Sequence, residues 1–397
     1  MNFFLLTLIK ALVIAFVLMT TLAYLQWLER KVLAHIQVRM GPRRVGPHGL
    51  LQPLADVIKL MTKEDMIPSH VNKIFYLLAP FLAVTFALIS ISVIPFGGNV
   101  EFFGVKTSMQ LTDIDIGVLF VLAISSIGVY GVALGGWASN NKYSLIGGLR
   151  SSAQMISYEL PLALAVASPL LLVNTLSFRA MVGSQAGYYF GFLPRWNVFQ
   201  GPWPQIFAFI IFLIAAFAET NRVPFDLPEA ENELVAGFHT EYSSMKFAAF
   251  FMAEYANMVT VSCVAALLFL GGWQPLWPAS LGSNWVPTIL FALGGFITIY
   301  HGLHPARPLD RFTLPVAGVV FLGIAVLFLV PILQQLLLPL FWFSAKVGVV
   351  LFLYIWVRGT LPRFRYDQLM RFAWTVLFPA AILNLLVTGF LVAITSQ

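Results

Sequence analysis

Residues 3–28 read FFLLTLIKALVIAFVLMTTLAYLQWL. This run is longer than the roughly 20 apolar residues a helix needs to cross ~30 Å of hydrocarbon, and its one charge is Lys10. Its apolar residues are continuous, not alternating, which predicts a membrane helix and argues against a barrel strand. The run is too long for a signal-peptide core, and no small-residue cleavage site precedes the basic stretch after it. The rest of the chain agrees. Of 397 residues, 59% are hydrophobic and 10% charged, against about a quarter charged in a soluble domain. Mean hydropathy is +0.85. The 23 Lys and Arg and 17 Asp and Glu are too few to form the polar skin of a soluble fold this size. These numbers exclude a soluble enzyme, a disordered protein and a nucleic-acid-binding domain. They predict an all-α polytopic membrane protein, a single membrane domain over residues 1–397.

Working outward from 3–28, further spans are expected at about 75–95, 115–137, 155–175, 203–219, 247–270, 285–300, 314–338, 341–357 and 372–393. With the N-terminus outside, 18 of the 23 Lys and Arg fall in inner loops. The net charge of +6 is therefore a topology signal, and the charged loops are expected in the cytoplasm. The first of them, 29–74, contains HGLLQPLADVIKLMTKE at 48–64. There Leu50, Leu54, Val57, Ile58 and Met61 share one helical face, with Gln52, Asp56, Lys59 and Lys63 opposite. That pattern predicts an amphipathic helix lying at the membrane interface. Gly128, Gly131, Gly135 and Gly136 read as close helix packing. The pair His301 and His304 reads as an interfacial pair in preference to a metal set.

Cys263 is the sole cysteine, so there is no internal disulfide and no iron–sulfur cluster, which takes about four thiolates. GxGxxG, GxxxxGK[ST] and HExxH are absent, and no cofactor or metal of the chain's own is expected. The acids are more informative. Glu159, Glu219 and Glu254 lie in or at the ends of spans, where an ionisable group is expensive and a functional candidate. One such glutamate reads equally well as a packing group bonded to a neighbouring hydroxyl or amide. Three on the same side favour a proton relay. The loop AETNRVPFDLPEAENELVAGFHTEYSS, 218–244, concentrates Glu219, Asp226, Glu229, Glu231, Glu233 and Glu241 around Arg222. It reads as a solvated acidic loop, as a docking face for a basic partner, or as a funnel of carboxylates leading to Glu219 and Glu254; the funnel is the preferred expectation.

Four runs carry a family resemblance: ERKVLAHIQVRMGPRRVGPHGLLQPLADVIKLMTKE (29–64), GWASNNKYSLIGGLRSSAQMISYELP (136–161), AETNRVPFDLPEAENELVAGFHTEYSSMKFAAFFMAEY (218–255) and LPRFRYDQLM (361–370). They closely resemble the family of H subunits of bacterial NADH:quinone oxidoreductase, respiratory complex I, the counterparts of subunit 1 of the mitochondrial enzyme. The resemblance implies a multi-pass component of the bacterial inner membrane. Its implied partners are the iron–sulfur subunits of the peripheral arm and small membrane subunits, and those partners carry iron–sulfur clusters, flavin and NADH. It implies a quinone chamber walled by the first, third and fifth inner regions, with Glu29, Arg30, Arg39, Asp56 and Lys59 at the chamber and its mouth. Arg222, Asp226, Glu229, Glu231 and Glu233 fall on the acidic loop beside it, and Glu159 and Glu254 match buried glutamates that lead coupling into the membrane. The sequence departs from the family at a long outer loop, 176–202, and at 274–340, read as an insertion adding two helices. A homologous membrane subunit of a hydrogenase-type complex is the alternative reading. A self-standing transporter is disfavoured, because the sequence shows no internal repeat and its acids crowd one face.

Overall fold

A computed structural model describes residues 3–102, 105–201, 203–226, 235–305 and 307–395. The helices are α1 (Phe3–Ile36), α2 (Gln52–Thr62), α3 (Lys73–Ser90), α4 (Gly117–Ala138), α5 (Lys142–Val173), α6 (Phe178–Ser184), α7 (Ile206–Glu219), α8 (Ser244–Phe269), α9 (Val286–Leu303), α10 (Asp310–Leu327), α11 (Pro331–Thr360), α12 (Tyr366–Phe372) and α13 (Phe378–Thr395). A π-helical turn, Ala373–Leu377, joins the last two into one span. Among the described residues nine spans are long and apolar enough to cross a bilayer, and α7 is a shorter apolar helix. Two small antiparallel hairpins, Asn99–Phe102 with Val105–Ser108 and Tyr188–Tyr189 with Leu193–Pro194, sit in connections. The chain is thus an all-α polytopic membrane protein, as its composition predicts.

Several boundaries differ from the sequence reading, each for a local reason. Helix α1 runs on to Ile36, so Glu29 and Arg30 stand on a helix and not in a loop. Nothing in ERKVLAHI breaks a helix, and the first breakers are Gly41-Pro42. Helix α5 starts at Lys142, well before 155, and carries Pro161 and Pro169 inside it. Neighbouring helices in a membrane tolerate such prolines. The break expected near 338–341 lies instead at 328–330. There Pro331 opens α11 and holds Val330 extended, while Pro339 stays inside the helix. The amphipathic helix expected over 48–64 is shorter. A single 3-10 turn, Pro47–Gly49, precedes α2 at Gln52.

The core gathers α3, α4, α5, α7 and α8, with α11 against α8 and α13 against α5. Small residues allow the closest crossings. A β-carbon on Gly136 of α4 would lie 2.7 Å from the Ser144 carbonyl oxygen and 2.9 Å from the Gly148 Cα of α5, and one on Gly131 would lie 2.9 Å from the Ala83 Cβ of α3. Gly128 behaves differently: nothing lies within 4 Å of its added carbon, and it borders a cavity. Its packing role is not observed. The turn Gly237–His239 closes this bundle. His239 is buried against Phe238, Phe247 and Phe251, and that burial pushes its imidazole down to about 4.

The α9–α10 hairpin packs chiefly on itself, with Gly295 against Leu322 and Gly302 against Pro315. It meets the rest of the chain through the rings of Phe291, Phe328 and Phe341. At its other end His48 lies 3.1 Å from the Thr313 hydroxyl and 3.4 Å from Asp310.

Gly136→Ala is expected to destabilise the purified chain by about 1–3 kcal/mol through overpacking, read as a fall in thermal midpoint in detergent. Gly128→Ala is expected to leave the midpoint unchanged. Equal shifts in the two variants contradict this account of the α4–α5 crossing.

Candidate functional site

The site is built around Arg222, three residues past the end of α7 and 6% exposed. Gln154 of α5 fixes the turn that carries it. Its amide nitrogen donates to the carbonyls of Ala218 at 2.9 Å and Phe225 at 2.8 Å and to the side-chain oxygen of Asn221 at 3.2 Å. The guanidinium then lies between α1 and α8. Its Nε is 2.8 Å from Glu254 Oε1, and its Nη1 is 3.4 Å from Glu29 Oε1. The Tyr255 ring lies under it at 4.2 Å, a cation–π contact of the kind that strengthens when desolvated. Glu29 also accepts hydrogen bonds from the Tyr255 hydroxyl at 2.7 Å and from Arg358 of α11.

A second ion pair extends the cluster, with Arg363 donating to Asp226 at 3.0 Å. Burial works against the charge on Arg222, but Glu254, Tyr255 and Glu29 outweigh it and hold the guanidinium above its ordinary pKa. For Asp226 burial prevails: it pushes the carboxyl above its usual range against the pull of Arg363, Arg358 and Arg222.

Deeper in the bundle, neighbouring residues of α4 reach two carboxylates on different helices. Ser125 donates to Glu219 of α7, and Ser126 donates to Glu159 of α5. Two small cavities adjoin this pair. One, about 40 Å³, is bordered by Gly128, Glu219, Glu254 and Asn257. The other, about 30 Å³, is bordered by Ser90, Ser125, Glu219, Asn257 and Thr260. Both exceed the ~10–15 Å³ that a water needs, and both have polar groups to bind it. The buried Thr260 hydroxyl has no partner among the described residues. Glu254 and Glu219 thus share one water-sized space, Asn257 borders both cavities, and Glu159 is held to the same turn of α4 as Glu219 through the neighbouring serine.

The first loop makes a separate unit. Arg30 donates to Asp56 at 2.8 Å, Gln52 donates to it at 3.0 Å, and Lys59 lies 3.7 Å away. The polar face of α2 therefore turns toward α1, and Leu54, Val57, Ile58 and Met61 are exposed, as an interfacial helix requires. The Ser244 hydroxyl pins its far end through the Leu60 carbonyl at 2.7 Å. Arg39 is exposed beyond α1 and makes no ion pair among the described residues.

Of the acidic loop, Glu219, Asp226 and Glu241 are described. Asp226 is matched by Arg363. Glu241 accepts from Asn141 at 2.7 Å, and its carbonyl accepts from Tyr76 at 2.7 Å, so it fastens the loop to α3 and α5. Glu229, Glu231 and Glu233 lie outside the described residues. Sequence reasoning missed Gln154, Tyr255, Arg358 and Arg363, although each stands within or beside a quoted run. It also missed Ser125 and Ser126, whose signal was available as two consecutive hydroxyls in an otherwise apolar span.

These features define a membrane protein with an arginine-centred ionic cluster beside carboxylates carried inside its helix bundle. Among the described residues no three His, Cys, Asp or Glu side chains form a metal set. The profile of the NADH dehydrogenase family matches residues 9–389. The chain is 68% identical to H subunit 1 of the NADH-quinone oxidoreductase of Solibacter usitatus, over 100% of this chain and 99% of that protein. It is 51% identical to H subunit 2 of the Koribacter versatilis enzyme, over 99% and 98% of the two chains. With H subunit 2 of the Geobacter metallireducens enzyme it shares 43% identity, over 99% and 97%. The chain belongs to the family of NADH-quinone oxidoreductase H subunits.

Glu29→Gln leaves Arg222 and Arg358 without their shared anion. It is expected to cost about 3 kcal/mol, the lower end for a broken buried pair because Arg358 is partly solvated. Lys59→Gln, at an exposed pair, is expected to cost under about 0.5 kcal/mol. Chemical unfolding of the two variants in detergent checks the contrast, and equal costs contradict it.

Proposed function

We propose that this chain is the membrane subunit of a proton-translocating NADH:quinone oxidoreductase that borders the quinone chamber at the junction with the peripheral arm. In this reading its carboxylates couple quinone reduction to proton movement. The observation that carries it is the linkage of Glu254 to Arg222 on one side and to Glu219, through water-sized space, on the other. Electrons reach the quinone from an iron–sulfur cluster of a partner, and NADH and flavin also belong to partners. This chain supplies walls and charge. An apolar crevice of about 690 Å³ between α7, α11 and α12, bordered by Phe217, Phe225, Val357 and Phe364, is of ligand size and supports a lipid-soluble substrate. Helix α2, with its apolar face exposed beside α1, supports entry of that substrate from the membrane. The Lys and Arg bias supports a cytoplasmic position for the charged loops, with the N-terminus outside in the inner membrane. Residues 274–340 are an insertion that adds α9 and α10.

The coupling follows from Arg222. It pairs with both Glu254 and Glu29, and Glu29 has a second cation in Arg358. Negative charge developing on a quinone beside the cluster competes for the same guanidinium. Glu254 then loses its counter-charge and takes up a proton. Water in the adjoining cavity passes that proton to Glu219, and the change of charge there acts on Glu159, which the same turn of α4 holds nearby.

In the assembled complex, Glu219→Gln and Glu254→Gln are expected to lose proton pumping, and to lower quinone reduction at least tenfold, with subunit content unchanged. Normal pumping rate and stoichiometry in both variants overturn the relay. Val57→Trp on α2 is expected to change the apparent KM for quinone, and an unchanged value removes α2 from the entry.

A further inference from the structure

Lys10 lies far from the ionic centre. From Lys10 to Glu29, α1 rises ~28 Å at 1.5 Å per residue, close to the ~30 Å of a hydrocarbon core. With Glu29 in the cluster beside the basic loops, Lys10 stands at headgroup depth on the opposite face. Its Nζ donates to the carbonyls of Ser108 at 2.9 Å and Gln110 at 3.4 Å. No carboxylate pairs with it among the described residues, and the neighbouring Arg179 is already matched by Asp113 at 3.1 Å. Lys10 therefore brings an unneutralised positive charge to the membrane surface.

Beside it opens an apolar groove of about 490 Å³. The groove follows α1 from Lys10 past Val13 and Val17 to Thr21, and Cys263 of α8 and Leu340 of α11 form its far wall. Its floor on α1 is ~16 Å long, close to the ~15 Å of hydrocarbon in one leaflet. A long, almost wholly apolar groove of this reach suits an acyl chain.

We propose that this groove is a binding site for a phospholipid with an anionic headgroup, its acyl chain lying along α1 and its phosphate on Lys10. The shape accounts for the chain, and the uncompensated cation accounts for the headgroup.

Native mass spectrometry of the full chain, stripped of lipid and offered equimolar phosphatidylglycerol and phosphatidylcholine, tests the proposal. The expected result is one retained lipid with about fivefold preference for phosphatidylglycerol, the attraction that one lysine exerts on an anionic surface. Lys10→Gln is expected to abolish the preference while retaining a lipid, and Lys10→Arg to preserve it. Val13→Trp, which fills the groove, is expected to lose the lipid itself. Equal retention of the two lipids by the unaltered chain, which needs no variant to fold, overturns the proposal. So does an unchanged preference in Lys10→Gln, or a side-chain-resolution map of the assembly with a protein segment seated in the groove.

Discussion

A guanidinium with almost no contact with water has to find its counter-charge inside the protein, and Arg222 finds it on two helices, α1 and α8. Leaving such a cation unpaired is among the most destabilising things a fold can do. Glu29 comes from α1, Glu254 and Tyr255 come from α8, and Arg358 enters from α11 as a second claimant on Glu29. These helices are far apart in sequence; their apolar faces join one core, and the ionic pairs fix how they meet at this point. Helix packing in lipid lacks a hydrophobic driving force between helices, so a polar centre sets the arrangement where oily contacts do not. Through Glu254 the same centre reaches the larger of the two water-sized cavities.

Two kinds of packing surround this centre. On the α4–α5 side glycines bring backbones together and leave no room for water. Further along α4, at Gly128, the missing side chain leaves space that the protein does not fill. The residue type is the same and the outcome is opposite, because Gly136 faces another glycine helix and Gly128 faces the carboxylates. The cavity is thus part of the sequence's specification and requires no opening motion.

The sequence made the membrane class and the number of long apolar runs plain, because a continuous stretch such as 3–28 has only one stable solution in lipid. Helix ends were harder to read. Pro161, Pro169 and Pro339 look like breaks to a reader of soluble proteins, yet all three lie inside helices held by their neighbours. Acid positions were visible, but their partners were not. The acidic loop looked deficient in positive charge because Arg358 and Arg363 lie more than a hundred residues downstream, and nothing local ties them to Glu29 and Asp226. The polar face of α2 was legible from spacing alone. Its use as an anchor to Arg30 was not, since that depends on α1 running on past Glu29. The family resemblance supplied the grouping that local patterns lacked, and the folded chain supplied the hydroxyls between the groups.

Ser125 and Ser126 are consecutive, so their side chains leave α4 about 100° apart, each fastened to a different neighbour. One turn of α4 therefore holds a carboxylate of α7 and a carboxylate of α5 at once, so the spacing of these two acids is set by a third helix that carries no charge at this point.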